Sequence, residues 1–360
     1  MTGVTAVNLK ELSRLLNLSQ TTISRALNGY PEVNEETRQR VMQAAKATGY
    51  RPNRAAQKLA TGRANSIGMV MPTGHGRDTD VHFAEFLSGL GEVAVANDVQ
   101  LVINPSKAED EEATFRRLAS GGSVDAVYVG YIRRRDPRIA LLKSLAIPFV
   151  VHGRATDGPH DYPLLDIDNE GAFADAANLL LNLGHRRFAM LNSFDYLTFA
   201  SRRDKGAAKA LKAHGLSIEP ALTQHSAMTE EQGYTGMARF LDHPSPPTAV
   251  LCSSIVLALG AVRAITQRGL KIGEDISIIA HDDVFPFIRP ESFPVPLTTT
   301  RSSIRQAGIR IAERLISEAA GRPISPQQEI WNVELIVRAS TGPAPARKAG
   351  RSRRSTEAAE

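Results

Sequence analysis

Apolar and polar positions follow two different patterns along this chain. From residue 7 to residue 50, apolar side chains recur every three to four residues, which is the spacing of amphipathic helices. From about residue 65 onward, short apolar runs alternate with longer amphipathic stretches. The runs are SIGMVM, VQLVIN, VDAVYVG, IPFVV, RRFAMLN, TAVLC and ISIIA, and the stretches span residues 82–97, 109–120, 169–183, 201–214 and 255–268. The pattern predicts a small all-α unit followed by an α/β core.

The apolar runs are of the kind that is buried on both faces of a parallel sheet. Their alternation with amphipathic stretches predicts open, doubly wound sheets that are covered by helices on both sides. A single open sheet rarely exceeds about ten strands, so two smaller sheets are expected rather than one.

The stretch VNLKELSRLLNLSQTTISRAL predicts two short helices that cross at a tight turn. Asn8 and Glu11 have the spacing of a capping box, and Ser19 is a good cap for the second helix. On that helix Ile23 and Leu27 form one face, and the opposite face carries Gln20, Thr21, Ser24, Arg25 and Asn28. Such a polar face fits the major groove of DNA, which indicates a helix-turn-helix. An ordinary helical hairpin with a solvated face is the alternative.

A third helix is expected to begin at the cap Asn34 and to end at Gly49. Charge supports DNA binding by this end of the chain, since residues 1–63 carry a net charge of +6 and residues 343–360 carry +3, within a total of +5. A basic module on an acidic body is typical of proteins that bind the phosphate backbone.

Two further features restrict the class of protein. The N-terminal segment has no apolar signal region and no run is long enough to span a membrane, so a cytoplasmic protein without a membrane partner is expected. The single cysteine, Cys252, excludes an internal disulfide and a thiolate metal cluster, and neither a cofactor nor a metal is expected. The tail, residues 343–360, is rich in Pro, Ala and charge and is expected to be disordered, with or without weak contacts to DNA.

Several motifs together resemble the LacI/GalR family of bacterial transcription repressors. They are SQTTISRALNG, EVNEETRQRVMQAAKATGYRPNRAAQKLATGR, SIGMVMP, DIDNEGAFADAANLLLNLGHRRFAML, SRRDKGAAKAL, GEDISIIAHDD and PLTTT. The resemblance extends from Val7 to about Gly342, and the most similar subgroup is that of the regulators of α-glucoside uptake and use.

The resemblance implies a headpiece at residues 1–52, a hinge helix and linker at 53–64, and a periplasmic-binding-protein-like core at 65–342. The two core subdomains are expected at about 65–166 plus 298–328 and at 167–297 plus 329–342, with the chain crossing three times between them. It also implies a homodimer or tetramer that binds a pseudo-palindromic operator and a small sugar as effector.

The resemblance assigns base reading to Gln20, Thr21 and Arg25. Arg25 would hold a guanine with both arms of its guanidinium, and a phosphate contact without sequence information is the alternative. Ser19, Thr22 and Asn28 fall where the family contacts the DNA backbone.

In the hinge, Leu59 matches the position that inserts between two base pairs from the minor groove. Packing beneath the headpiece is the alternative for this side chain. Ala56 is small enough for a close approach, and Arg54 is placed for the DNA backbone.

In the core, Arg203 matches the effector-binding arginine, although the adjacent Arg202 competes for that assignment. Asp282, after the run ISIIA, matches the acid that accepts hydrogen bonds from a sugar. The alternative, a structural acid that caps the next turn, fits Asp283 better than Asp282. Asp168 and Asn169 either line the cleft or cap a helix.

One departure from the family pattern concerns Ser254-Ile255, where many members carry Asn-Asp. Ser254 keeps a hydrogen-bonding group but the acid is lost, so no particular ligand is transferred to this chain. Candidates for stacking on a sugar, or alternatively for ordinary core packing, are His82, Phe83, Tyr131 and Phe285.

Other classes of protein fit less well. An enzyme is not expected, because the sequence has no Gly-rich phosphate loop, metal-ligand cluster or nucleophile elbow. A transport protein with the same core would need a signal peptide and no basic headpiece. Whether the regulator is released by its sugar, requires a corepressor, or activates in response to a non-sugar metabolite stays open.

Overall fold

The computed structural model describes residues 7–50, 58, 62–73 and 80–346. The chain divides into two compact units, residues 1–65 and residues 66–360. The expected hinge contacts Arg54, Ala56 and Leu59 lie outside the described residues, as does the tail from residue 347.

The first unit contains three helices, α1 (Leu9–Leu16), α2 (Gln20–Leu27) and α3 (Glu35–Thr48). Their ends are those that the sequence predicts: Asn8 and Glu11 form the capping box, the side chains of Ser19 and Asn34 accept the amides of Thr22 and Thr37, and Gly49 ends α3 with φ +66°. The core of this unit is small and centres on Leu12, Ile23 and Val41, which are fully buried.

The second unit alternates strands and helices. In chain order they are β1 (Ser66–Pro72), α4 (Val81–Ala96), β2 (Gln100–Ser106), α5 (Glu111–Ser120), β3 (Ala126–Val129), α6 (Pro137–Ser144), β4 (Phe149–His152), β5 (Leu164–Ile167), α7 (Asn169–Asn182), β6 (Phe188–Asn192), α8 (Thr198–Lys212), β7 (Thr223–His225), α9 (Glu230–Leu241), β8 (Ala249–Cys252), α10 (Ile255–Gln267), β9 (Ser277–Asp282), β10 (Thr298–Arg301), α11 (Ile304–Ala319), β11 (Gln328–Trp331) and β12 (Glu334–Ile336). Short 3₁₀ helices lie at Ala108–Asp110, Pro220–Leu222 and Pro290–Ser292.

These strands form two sheets, as the sequence predicts. The first sheet has the order β11-β5-β4-β3-β1-β2 and is parallel throughout. The second has the order β12-β10-β9-β8-β6-β7 and is parallel except at its edge, where β12 runs antiparallel to β10. Each sheet is covered by helices, so the described part of the second unit is an α/β core of two subdomains.

The chain crosses three times between the sheets, but two crossings lie later than predicted. After Ile167 the chain leaves the first sheet at the expected place. Residues 298–301, expected in the first subdomain, form β10 of the second sheet, and residues 329–331, expected in the second, form β11 of the first. The strand β10 consists mainly of threonines and pairs in parallel with β9. A search for short apolar runs in the sequence does not detect such a strand.

The helix α11 belongs to the first subdomain because of its close packing on α4. A Cβ atom on Gly308 would lie 2.2 Å from the carbonyl oxygen of Phe86, and one on Gly89 would lie 2.1 Å from that of Arg305. Glycine at both positions therefore lets the two helices approach each other through their backbones. We assign residues 66–167 and 304–331 to the first subdomain, and 168–301 and 334–346 to the second.

The beginning of the expected disordered tail is held by the second subdomain. The Ala344 amide donates to the Leu183 carbonyl at 2.8 Å, so residues 343–346 continue the core further than predicted. Among the residues that the structure describes, no helix has the length and apolar character that crossing a membrane requires.

Candidate functional site

The polar face of α2 is one candidate site, and it lies on the first unit. Ile23 and Ala26 are buried against the other helices, whereas Gln20, Thr21 and Arg25 are exposed or half-buried. The sequence pattern therefore assigns the two faces of α2 correctly. Within this unit, the side chains of Gln20, Thr21 and Arg25 can reach outward to a partner.

The other predicted contact residues of α2 shape the ends of the helix. The Ser19 hydroxyl accepts the Thr22 amide at 3.0 Å, and the two side-chain hydroxyl oxygens lie 2.8 Å apart. At the other end, the Asn28 side-chain amide donates to the Ser24 carbonyl at 2.8 Å. Ser19, Thr22, Ser24 and Asn28 are thus partly committed to hydrogen bonds that cap the two ends of α2.

The second candidate site is a cavity of about 130 Å³ between the two subdomains of the core. It lies where the carboxyl ends of both sheets meet, because His152, Ile167 and His281 lie at or near the ends of β4, β5 and β9. Ligands of open α/β sheets bind at this kind of place. The lining combines aromatic side chains with polar and charged groups, namely Phe83, Phe86, Tyr128, Tyr131, Phe199, Asp80, His82, Asp166, Asn169, Arg203 and Asp283.

Arg203 lines the cavity, as predicted, and its guanidinium is held on several sides. Its Nε donates to Asn169 Oδ1 at 2.8 Å, and its Nη1 donates to the carbonyl oxygen of Ser253. The rings of Phe173 and Phe199 lie 5.3 and 5.1 Å from the guanidinium carbon. Burial lowers the pKa of Arg203 to about 10, which leaves it cationic at neutral pH. Arg202, the competing candidate, instead donates to the Ala155 carbonyl.

Of the two neighbouring aspartates, Asp283 lines the cavity, whereas Asp282, which the sequence favoured, is not among the lining residues. His281 and Asp283 both line the cavity, while Asp282 between them does not. One Asp282 oxygen accepts the Val284 amide at 2.8 Å and the other lies 3.7 Å from Arg301 Nε. Asp282 thus follows the alternative of a structural acid, which the sequence had favoured more for Asp283.

His82 lines the cavity but is a hydrogen-bonded cation rather than a stacking ring. Its Nδ1 lies 3.0 Å from Asp80 Oδ1, and its Nε2 lies 3.0 Å from Ser254 Oγ and 3.3 Å from Asp283 Oδ2. Burial alone would lower the pKa of His82, but the carboxylates of Asp283 and Asp80 outweigh it and raise the pKa to about 9. Ser254, predicted to face the effector, caps α10 and binds His82.

The aromatic candidates separate into two groups. Phe83 and Tyr131 line the cavity, and the Tyr131 hydroxyl donates to Asp80 Oδ2. Phe285 is buried, with its ring edge-to-face with His82 at 5.1 Å, so it packs behind the cavity wall as ordinary core.

The alternatives for Asp168 and Asn169 are also separated. Asp168 caps α7 by accepting the Gly171 amide at 2.9 Å. Asn169 is buried, lines the cavity and orients Arg203. Asp168 therefore follows the capping alternative and is not among the cavity-lining residues, whereas Asn169 follows the cleft alternative.

The two histidines deeper in the cavity are neutral at physiological pH. Burial, followed by the charge of Arg203, lowers the pKa of His281 to about 3, and burial lowers that of His152 to about 4. Burial raises the pKa of Asp166, although Arg154 Nε lies 2.8 Å from its Oδ2. The cavity therefore combines charged groups that are paired with one another and neutral hydrogen-bonding groups.

The sequence missed Asp80, His152 and Phe199 as cavity residues. His152 could have been found from the sequence, because it directly follows the run IPFVV and ligands bind at the carboxyl ends of such strands. Asp80 and Phe199 lie in loop or helix-start positions, where only the assembled core brings them to the cavity.

Both parts of the chain match known proteins. The family described as bacterial regulatory proteins, lacI family, matches residues 8–53, and a periplasmic binding protein-like domain matches residues 177–341. The HTH-type transcriptional regulator AglR of Rhizobium meliloti (strain 1021) is 65% identical over 341 residues, which are 95% of this chain and 96% of that protein. The HTH-type transcriptional repressor CytR of Escherichia coli (strain K12) is 30% identical over 94% of this chain and 97% of that protein.

Solved structures give the same result for the fold. The complex of the transcriptional regulator CelR with cellobiose matches with a TM-score of 0.67 and 25% identity, over 93% of this chain and 99% of that chain. The lac repressor dimer bound to operator and the anti-inducer ONPF has a TM-score of 0.77 over the same shares, and at 24% identity it supports the fold alone.

A helix-turn-helix unit with an outward-facing polar recognition helix is thus joined in sequence to a two-subdomain core with a cavity between its sheets. A relative of 65% identity spans nearly the whole of both parts. The chain belongs to the LacI family of bacterial regulatory proteins, and it is a DNA-binding transcriptional regulator rather than an enzyme.

Proposed function

We propose that this regulator represses an operon for carbohydrate uptake or catabolism and that a small sugar in the core cavity controls its affinity for the operator. The observation that carries this proposal is the cavity itself, where donors, acceptors and aromatic faces meet at the carboxyl ends of both sheets. Hydroxyl groups need donors and acceptors, and the apolar face of a sugar ring packs on an aromatic ring.

Particular residues have the chemistry for a sugar. Nε and Nη1 of Arg203 are used by Asn169 and Ser253, which leaves Nη2 as the donor for a ligand oxygen. Asp283 supplies a carboxylate acceptor, and Phe83, Phe199 and Tyr131 supply the faces. The resemblance to regulators of α-glucoside use supports an α-glucoside, and the CelR–cellobiose complex supports a sugar ligand more generally.

For the operator, we propose that Gln20, Thr21 and Arg25 read bases and that Ser19, Thr22, Ser24 and Asn28 contact the DNA backbone. The outward placement of the first three supports base reading, since their side chains are not used in the core of the unit. A homodimer or tetramer in the cytoplasm would place two such helices on a pseudo-palindromic site.

The link between the two sites is proposed to be the hinge, residues 53–64. A hinge helix of about seven residues within this segment would be marginal alone, because helix nucleation is costly. It would form when two hinges meet on the operator, with Leu59 in the minor groove and with Arg54 and Ala56 beside it. A sugar that moves the points at which the two hinges join their cores would weaken the pairing of the hinge helices. The expected coupling energy is modest, about 1–3 kcal/mol.

One experiment tests the proposal as a whole. Maltose, sucrose, trehalose and glucose are titrated into the full-length protein by calorimetry, and each is then added to a protein–operator complex that is followed by fluorescence anisotropy. We expect one of them to bind and to release the operator. Tighter operator binding would indicate a corepressor. Sugar binding that leaves operator affinity unchanged would contradict control by the sugar, and the absence of binding by any sugar would contradict the proposed effector class.

The hinge is tested separately by hydrogen exchange over residues 53–61. We expect protection only in the operator complex, and protection in the free protein would contradict the coupling proposed here. The variant Leu59→Ala should bind operator more weakly while its sugar affinity is unchanged.

A further inference from the structure

The contacts of His82 cross from one subdomain of the core to the other. His82 lies on α4 of the first subdomain, whereas Ser254 and Asp283 follow β8 and β9 of the second. We call His82, Ser254 and Asp283 the cross-cleft cluster. Their separations are 3.0 Å for His82 Nε2 to Ser254 Oγ and 3.3 Å for His82 Nε2 to Asp283 Oδ2.

The first subdomain prepares His82 for this contact. Asp80 caps α4 through the His82 amide and lies 3.0 Å from the Nδ1 atom of the same residue. The Tyr131 hydroxyl holds the second oxygen of Asp80. With Nδ1 occupied in this way, Nε2 is the ring nitrogen that is directed across the cleft.

The second subdomain presents matching groups. Asp283 is buried just after the end of β9, and His281 Nε2 lies 3.6 Å from its other carboxylate oxygen. Arg203 is a more distant cation on the same side, and Phe285 packs edge-on against the imidazole ring. A carboxylate buried in this way needs a positive partner, because an uncompensated charge in a low-dielectric site is costly.

We infer that His82 is a positioning residue that holds the cleft closed, through its charge, by bridging the two subdomains to Asp283 and Ser254. This contact exists only while the two carboxyl-end faces are together, so its free energy adds to that of any ligand in closing the cleft. His82 would have this role whichever ligand the cavity takes.

A pH dependence follows, with a definite sign. The pKa of His82 is raised to about 9, mainly by Asp283 and Asp80, against the effect of burial. The contribution of the cation to closure is therefore present at neutral pH and is lost as the pH rises through about 9. The pKa values of Asp80 and Asp283 are lowered, so both carboxyl groups stay ionised over this range.

The experiment measures the width of the cleft directly. Arg135 and Asp195 are exposed and lie on different subdomains, close to the Arg133–Leu197 bridge between them. The substitutions Arg135→Cys and Asp195→Cys provide two sites for thiol-reactive spin labels in the full-length protein. The native Cys252 is buried and is therefore not expected to be labelled. The distances between the two spin labels, measured by double electron–electron resonance, then report the fractions of open and closed molecules.

We expect His82→Gln to raise the open fraction several-fold at pH 7 and to abolish its pH dependence, because glutamine can still bind Ser254 but carries no charge. The unsubstituted protein should open progressively between about pH 7 and pH 10. The matched control is His225→Gln, since His225 pairs with Asp204 at 2.8 Å within the second subdomain and also has a raised pKa. This control should leave the distance distribution unchanged.

The outcomes separate clearly. Identical distance distributions for the labelled parent protein and the labelled His82→Gln variant would overturn the inference, as would the absence of opening at high pH. An equal shift in His225→Gln would also overturn it, because the effect would then not depend on bridging the cleft. Asp283→Asn offers a second test, since it removes the charge from the other side and should open the cleft at pH 7.

Discussion

The headpiece and the cleft use side chains in opposite ways. In the headpiece the candidate contact residues Gln20, Thr21 and Arg25 face outward, and the fold beneath them rests on a few buried side chains such as Ile23. In the cleft, Arg203 and Asp283 are buried and already hydrogen-bonded or ion-paired. A helix surface can thus change its contacts without changing the fold, whereas a change in the cleft disturbs both binding and packing.

The largest expected effect concerns the small core of the headpiece. Ile23→Ala should destabilise this unit by about 2–5 kcal/mol, because the removed side chain is fully buried and the surrounding core is small. Operator binding should be lost while the α/β core stays folded, which calorimetry and proton NMR would detect. Retained operator affinity would show that the headpiece tolerates the loss of the buried Ile23 side chain.

The next prediction concerns the role of Asp283 in the cleft. Asp283→Asn should weaken sugar binding by about 1.5–3 kcal/mol, since a charged acceptor is replaced by a neutral amide. Asp282→Asn is the matched control, because that side chain faces Arg301 and not the cavity. Calorimetric titration with the sugar that binds the parent protein measures both, and a larger loss in Asp282→Asn would reverse the assignment.

A prediction of similar or smaller size concerns base reading. Arg25→Ala should reduce the preference for operator over random DNA by about 1–3 kcal/mol, whereas loss of a phosphate contact weakens both alike. Arg40→Ala is the control, because Arg40 is an exposed arginine on α3 rather than on the recognition helix. Anisotropy titrations with both DNAs at one salt concentration separate the two roles, and equal losses would rule out base reading by Arg25.

The smallest effect should come from the start of α2. Ser19→Ala removes the acceptor of the Thr22 amide and should destabilise the headpiece by about 1 kcal/mol. Ser19→Asp should restore most of the stability, since aspartate is also a good cap. Thermal unfolding measures both variants, and a loss that Asp does not restore would point away from capping.

The features that could be predicted from the sequence are those that depend on residues close together in the chain. The capping box of Asn8 and Glu11, the cap at Ser19 and the buried face of α2 were all predicted, because each depends on residues within one or two helical turns. Arg203 was also placed correctly at the cavity, through the motif in which it stands. By contrast, Asp282 was chosen over Asp283 because a motif match gives a position along the chain and not the direction of a side chain.

The sequence by itself determined the two kinds of unit, the family and the outward-facing recognition helix, since helical periodicity and motif spacing are properties of neighbouring residues. Only the tertiary structure decided that Asp283 rather than Asp282 lines the cavity, that β10 pairs in the second sheet, and that His82 meets Ser254 and Asp283. The physical reason is that strand register and subdomain contact join residues far apart in the chain, and the charge of a buried imidazole depends on which carboxylates the fold brings to it.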